Sequence, residues 1–193
     1  VTFEKGTTAI VSQLFAQCNG LESIAIPDTV TTIGHNAFGS CVNLKNVTFS
    51  KNLKTIEHEA FVNSGIEKAE LPKTLTNIYC CAFKDCKNIT SIKIPGSVTK
   101  IQEGAFSGCS GLNGTLNIPY SVTSIASNAF YNCDNLESYS VNQLNNVYCS
   151  IDGLLLNKDG TELLDCPKGK QGECKIPDTV VTIKQSAFSG CEK

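Results

Sequence analysis

The chain has 193 residues, enough for a single domain over 1–193, and its 41% apolar content is that of an ordinary globular protein. Sixteen basic residues, all lysines, oppose eighteen carboxylates, and the formal charge of −2 excludes the basic footprint of a nucleic-acid or acidic-membrane binder. No apolar run approaches the roughly 20 residues that cross a bilayer, so no membrane insertion is expected within this segment.

The elements repeat from the first residues onward. "VTFEKGTTAIVSQLF" at the start aligns with "VTFSKNLKTIEHEAF" from Val47, so the chain opens inside a unit. A full unit follows at Leu21, Ile24, Ile26, Pro27, Val30, Ile33, Ala37, Phe38 and Cys41. The next places Leu44, Val47, Phe49, Leu53, Ile56, Ala60 and Phe61 at the same offsets, with Ser50 for the proline and Ser64 for the cysteine. A later copy runs through Ile89, Ile92, Ile94, Pro95, Val98, Ile101, Ala105, Phe106 and Cys109. Phenylalanines at 15, 38, 61, 83, 106 and 130 are spaced by 23, 23, 22, 23 and 24 residues, and a gap of 58 to Phe188 marks one enlarged unit, about 142–175. The chain stops just after Cys191 without a polar cap, and methionine is absent. Both features predict a fragment of a longer protein.

Each unit predicts the same local structure. The alternating I-x-I step reads as a short strand, and the proline after it limits extension. V-T-x-I reads as a second, weaker extended piece. A-F-x-x-C is too short for a free helix and is expected to form one helical or 3₁₀ turn. In the enlarged unit, Asn157-Lys158-Asp159-Gly160 between two apolar runs predicts a hairpin. One unit cannot bury its apolar face alone, so about eight coils must stack at roughly 4.8 Å into a rod.

"LESIAIPDTVTTIGHNAFGSC" and "ITSIKIPGSVTKIQEGAFSGC" resemble the BspA-like leucine-rich-repeat family of microbial surface proteins. The resemblance covers essentially the whole chain, including "VYCSIDGLLLNKDGTELLDCPKGK", which is similar to the hairpin-bearing repeat of such proteins. It implies an α/β repeat fold: a right-handed solenoid with a parallel sheet on the concave face, short helical turns and one enlarged repeat. It further implies an extracellular or cell-surface location and a non-catalytic role in recognition or adhesion. The alternative is a passive spacer that displays other domains.

In the I-x-I strands the apolar residues point inward and the residues between them line the concave face. The candidate contacts are Asn46, Thr48, Lys68, Glu70, Ser91, Lys93, Thr115 and Asn117. This face lacks tryptophan and arginine anchors, so it predicts a wide, weak contact with a protein or glycan ligand, made by a monomer. Tyr120, Tyr131 and Tyr148 are candidate exposed aromatics.

Six of the eleven cysteines, at 18, 41, 86, 109, 133 and 191, share one repeat position and are expected to be a ladder of buried, reduced thiols. Of the other five, Cys149 becomes a diagonal neighbour of Cys166 if the hairpin pairs around Asn157–Gly160, which makes Cys149–Cys166 the candidate disulfide. Cys174 could replace either partner. Cys80 and Cys81 occupy slots that other coils fill with polar residues, and one of them is expected to be the reactive thiol. His35, His58 and Cys80 fall in register in successive coils, but three strong ligands with no readable supporting shell make a weak case for metal. No P-loop, dinucleotide fingerprint or nucleophile elbow is present, so no enzyme activity and no cofactor are expected.

Overall fold

A computed structural model describes residues 1–191 and resolves the repeat into stacked coils. The I-x-I steps and their equivalents form β2 (Ser23–Ala25), β4 (Asn46–Thr48), β6 (Lys68–Glu70), β8 (Ser91–Lys93), β10 (Gly114–Ile118) and β12 (Leu136–Val141). The T-x-I steps form two-residue strands: β1 (Ala9–Ile10), β3 (Thr32–Ile33), β5 (Thr55–Ile56), β7 (Asn77–Ile78), β9 (Lys100–Ile101) and β11 (Ser124–Ile125). Within each set the pairing is parallel, in the orders β2-β4-β6-β8, β10-β12 and β1-β3-β5-β7-β9-β11. Register follows the apolar pattern: Ile24 lies opposite Val47, and Ile33 opposite Ile56. A one-residue slip would turn every buried side chain outward.

The phenylalanines make the spine of the core. Rings of Phe38, Phe61, Phe83 and Phe106 are stacked at 5.0, 5.3 and 5.4 Å, within 5° of parallel, and all four are fully buried. Phe15 and Phe130 extend the stack at its two ends, at 5.2 and 5.6 Å. Ring spacing is only slightly wider than the interstrand distance of about 4.8 Å, so one side chain per coil fills the interior.

The A-F-x-x-C segments are tight turns, and no helix occurs among the described residues. In every segment but that of Phe130, two residues four apart take positive φ, such as Asn36 (52°) and Ser40 (56°), Glu59 (57°) and Asn63 (53°), Cys81 (55°) and Asp85 (58°); the Phe130 segment has Asn132 (59°) alone. The reversals interrupt a helical hydrogen-bond ladder and aim alternate N–H groups at the next coil. Asn36, Phe38 and Ser40 donate to the carbonyls of His58, Ala60 and Val62 at 3.1, 2.8 and 2.7 Å. Pairing between coils outweighs the roughly 1 kcal/mol of each left-handed non-glycine residue.

The enlarged unit departs from the expected single hairpin. It holds β13 (Tyr148–Ile151), β14 (Leu154–Asn157) and β15 (Glu162–Asp165), which pair antiparallel in that order. β16 (Thr182–Ile183) then joins β15 in parallel. The missed turn is Asp152-Gly153, with φ of 50° and 79°, a two-residue hairpin loop of the kind Asp-Gly favours. Gly153 is required twice: by its positive φ, and because a Cβ there would sit 2.8 Å from the Ser138 Cβ. Its carbonyl accepts the Tyr139 N–H at 2.8 Å, which docks the hairpin tip on β12.

Candidate binding surface

The period-two alternation leaves the intervening residues of the I-x-I strands in solvent. Asn46, Thr48, Lys68, Glu70, Ser91, Lys93, Thr115 and Asn117 are all exposed. Strand register joins them into rows: Asn46 beside Lys68, Lys68 beside Ser91, and Glu70 beside Lys93. Thr115 shares a 2.6 Å hydroxyl hydrogen bond with Ser138 of the neighbouring strand. Lys68, Glu70, Ser91 and Lys93 line an open groove of about 760 Å³, walled on one side by Tyr120. Tyr120 is 56% exposed, so its ring is available as a flat contact. Among the described residues none of these charged side chains is in an ion pair. Tyr148, the third aromatic candidate, is instead buried, and its hydroxyl accepts the Ile125 N–H at 2.9 Å. Beyond β11 it takes the place of the next short strand.

The cysteine ladder has a function that spacing alone did not reveal. The four inner thiols donate to the carbonyl of the phenylalanine one coil earlier: Cys41 to Phe15 (2.9 Å), Cys86 to Phe61 (2.9 Å), Cys109 to Phe83 (3.1 Å) and Cys133 to Phe106 (3.2 Å). The end members Cys18 and Cys191 are only half-buried, and Cys191 donates to the Cys166 carbonyl at 3.6 Å. Burial pushes the Cys86 thiol up to about 11 and that of Cys133 up to about 12. Ser64 keeps the ladder continuous, with its hydroxyl 3.3 Å from the Cys86 sulfur.

Off the ladder, two expectations change. Cys80 and Cys81 are half-buried, with sulfurs 3.6 Å apart. Burial, reinforced by the Cys80 thiol, pushes Cys81 up to about 11. Native alkylation followed by mass mapping is expected to label one of the half-buried pair Cys80 and Cys81 at least roughly tenfold faster than the buried Cys86, Cys109 and Cys133, since the reagent must reach the sulfur. Equal rates would refute the assignment.

Cys149 and Cys166 do not approach one another. β14 lies between them, so two strand spacings of about 4.8 Å put their Cα atoms beyond the roughly 6.8 Å limit for a disulfide. The Cys149 thiol donates to the Asn157 carbonyl at 3.1 Å, and the Cys166 sulfur lies 3.9 Å from that of Cys174. All eleven thiols are free.

The two histidines are held by their neighbours. The His35 ring faces the His58 carbonyl at 3.1 Å, and the His58 ring packs edge-on against Tyr79 at 5.5 Å. Among the described residues no three His, Cys, Asp or Glu side chains gather closely enough to hold a metal ion. Among the described residues no helix is long and apolar enough to cross a membrane.

Sequence reasoning missed one buried and one half-buried polar group in the enlarged unit. Asn145 is fully buried and fully bonded. Its amide donates to the carbonyls of Pro119 (3.0 Å) and Val122 (2.9 Å) and accepts the N–H groups of Val147 (2.9 Å) and Tyr148 (2.8 Å). Asp165 accepts the Tyr139 hydroxyl, and burial pushes its carboxyl up to about 7. Neither is readable in advance, because each depends on which loop folds over it.

Solved structures with this architecture come from bacteria. The pneumococcal vaccine antigen PcpA is 28% identical, with a TM-score of 0.82 over 94% of this chain and 47% of its own. A leucine rich cell surface protein from Faecalibacterium prausnitzii is 29% identical, with a TM-score of 0.68 over 95% and 56%. A leucine-rich repeat protein from Eubacterium ventriosum is 26% identical, with a TM-score of 0.60 over 97% and 44%. The chain therefore spans about half the length of these structures. No curated protein matches it. The repeat described as the BspA type leucine rich repeat region recurs in six copies over residues 8–137 and 168–193, and the chain belongs to that family.

Proposed function

We propose that this segment is a non-catalytic recognition module displayed at a bacterial cell surface or secreted, and that it binds a protein or glycan ligand on its I-x-I face. The observation that carries the reading is the groove of Lys68, Glu70, Ser91, Lys93 and Tyr120, where unpaired charges and one exposed ring converge on a rigid sheet. Parallel strands fix the spacing of these groups, so little ordering cost remains on binding. The F. prausnitzii neighbour is a cell surface protein, which supports the location.

Pull-down against matrix proteins and a glycan array tests the reading. The intact segment is expected to retain a ligand, and the triple variant Lys68→Ala, Glu70→Ala, Lys93→Ala to lose at least about tenfold in affinity, the order of 1.4 kcal/mol. Retention by the triple variant would move the site elsewhere. Absence of any ligand would favour a spacer that displays other domains.

A further inference from the structure

The turn ladder breaks once, at the enlarged unit, whose residues 138–167 fall outside the matched repeats. In the first four turns three N–H groups of one A-F turn meet carbonyls of the next, and in the Phe106 turn two do while the Gly104 N–H donates to Asn128 Oδ1 at 3.3 Å. Phe83 and Asp85, for example, donate to Ala105 and Ser107 at 2.9 and 2.7 Å. The turn that carries Phe130 has no such successor. Among the described residues, the N–H groups of Asn128, Phe130 and Asn132 have no partner. Phe130 as a residue is only 7% exposed. An orphan buried N–H is rare and costly.

Across the break stands the turn that carries Phe188. Its Ala187 carbonyl accepts the Cys166 N–H at 2.8 Å, while among the described residues the Gln185 and Ser189 carbonyls accept nothing. A cleft of about 570 Å³ lies between the two turns, floored by Tyr139 and Asp165. This is within the usual size of ligand pockets, roughly 300–1,000 Å³. Two turns one coil out of contact leave about twice the 4.8 Å spacing, which is room for one peptide backbone. Lys168 closes the outer end. Its ammonium donates to Asn132 Oδ1 at 2.6 Å, lies 4.6 Å above the Tyr131 ring, and occupies the space a Gly190 side chain would need. The inner end, between Asn128 and Gln185, stays open.

We infer that this cleft binds a short peptide segment in the place of the absent turn. Its carbonyls take the N–H groups of Asn128 and Phe130, and its own N–H reaches the Gln185 carbonyl. Donors on one wall and acceptors on the other suit a peptide backbone better than an anion or a cation, each of which would satisfy one wall only. This is strand addition carried out between two turns. The site is separate from the I-x-I face and stands or falls independently of it.

The test uses a capped seven-residue peptide with the sequence of Gln102–Gly108, a turn whose carbonyls already accept this pattern of donors in the intact chain. Amide hydrogen exchange by NMR reads the outcome. In the free protein the Phe130 amide is expected to exchange at least roughly tenfold faster than the Phe83 and Phe106 amides, and saturating peptide to slow it by a similar factor with those two unchanged. Ser127→Trp and Gln185→Trp, both at exposed positions on the cleft, should each abolish the protection, and N-methylation of the peptide should weaken it. A Phe130 amide already protected in the free protein overturns the inference. So does a lack of response at millimolar peptide, or equal protection by the N-methylated peptide.

Discussion

Phe83→Ala is expected to lower the unfolding free energy by about 3–5 kcal/mol, the range for a fully buried aromatic whose site cannot collapse. The ring is fully buried and stacked on both faces, 5.3 Å from Phe61 and 5.4 Å from Phe106. Its backbone is pinned as well: the N–H donates to Ala105, and the carbonyl accepts the Cys109 thiol. Relaxation into the void would have to break those bonds, so a cavity remains. The solenoid geometry adds a second consequence. Each coil touches only its neighbours, so a weak rung in the middle divides the stack, and the denaturant transition should broaden as its two halves uncouple. Phe130→Ala should cost less, because that ring is stacked on one side only and meets Tyr139 edge-on on the other. Chemical denaturation of both variants checks this; a loss below about 1 kcal/mol for Phe83→Ala would mean the spine is not the main source of stability.

Asp165→Asn should change the pH dependence of stability more than any other single substitution. Burial raises the folded carboxyl from 3.8 to about 7, opposed by the Tyr139 hydrogen bond and the Lys168 charge. Between these two values the folded chain holds a proton that the unfolded chain has released. Stability from this group is therefore fully present below about pH 4 and declines as pH rises toward 7. At about 1.4 kcal/mol per unit, the full decline over these roughly three units is of order 4 kcal/mol. Asparagine keeps an acceptor for the Tyr139 hydroxyl and never ionises. The variant should match the parent near pH 4 and exceed it by about 2–4 kcal/mol at pH 7.5. Urea midpoints across that range read the difference directly. A constant offset between the two proteins would show that the carboxyl ionises freely in the folded state.

Much of the architecture was legible because it is periodic. Spacing of the phenylalanines near 23 dictates one ring per coil, and the six-ring stack follows from it. Alternation in I-x-I dictates which side chains face solvent, so all eight candidate contacts are exposed as expected. Four of the six ladder thiols, Cys41, Cys86, Cys109 and Cys133, are buried as expected, since a fixed offset from a core residue repeats its environment, while Cys18 and Cys191 near the two ends of the stack are only half-buried. Periodicity does not describe the backbone inside a turn, which is why A-F-x-x-C was expected to be helical. Its conformation is decided by hydrogen bonds to the next coil, a partner some 23 residues away. Nor does it reach the enlarged unit. There the Asp152-Gly153 turn was visible as a dipeptide but was passed over for Asn157–Gly160, and adding a strand moved Cys149 away from Cys166. What the repeating sequence determined is the rod, its core and its exposed rows. What only tertiary structure decided is the break in that rod, because the half-buried Asp165, the docked Gly153 and the unmet Phe130 amide all depend on a non-repeating loop folding back across coils.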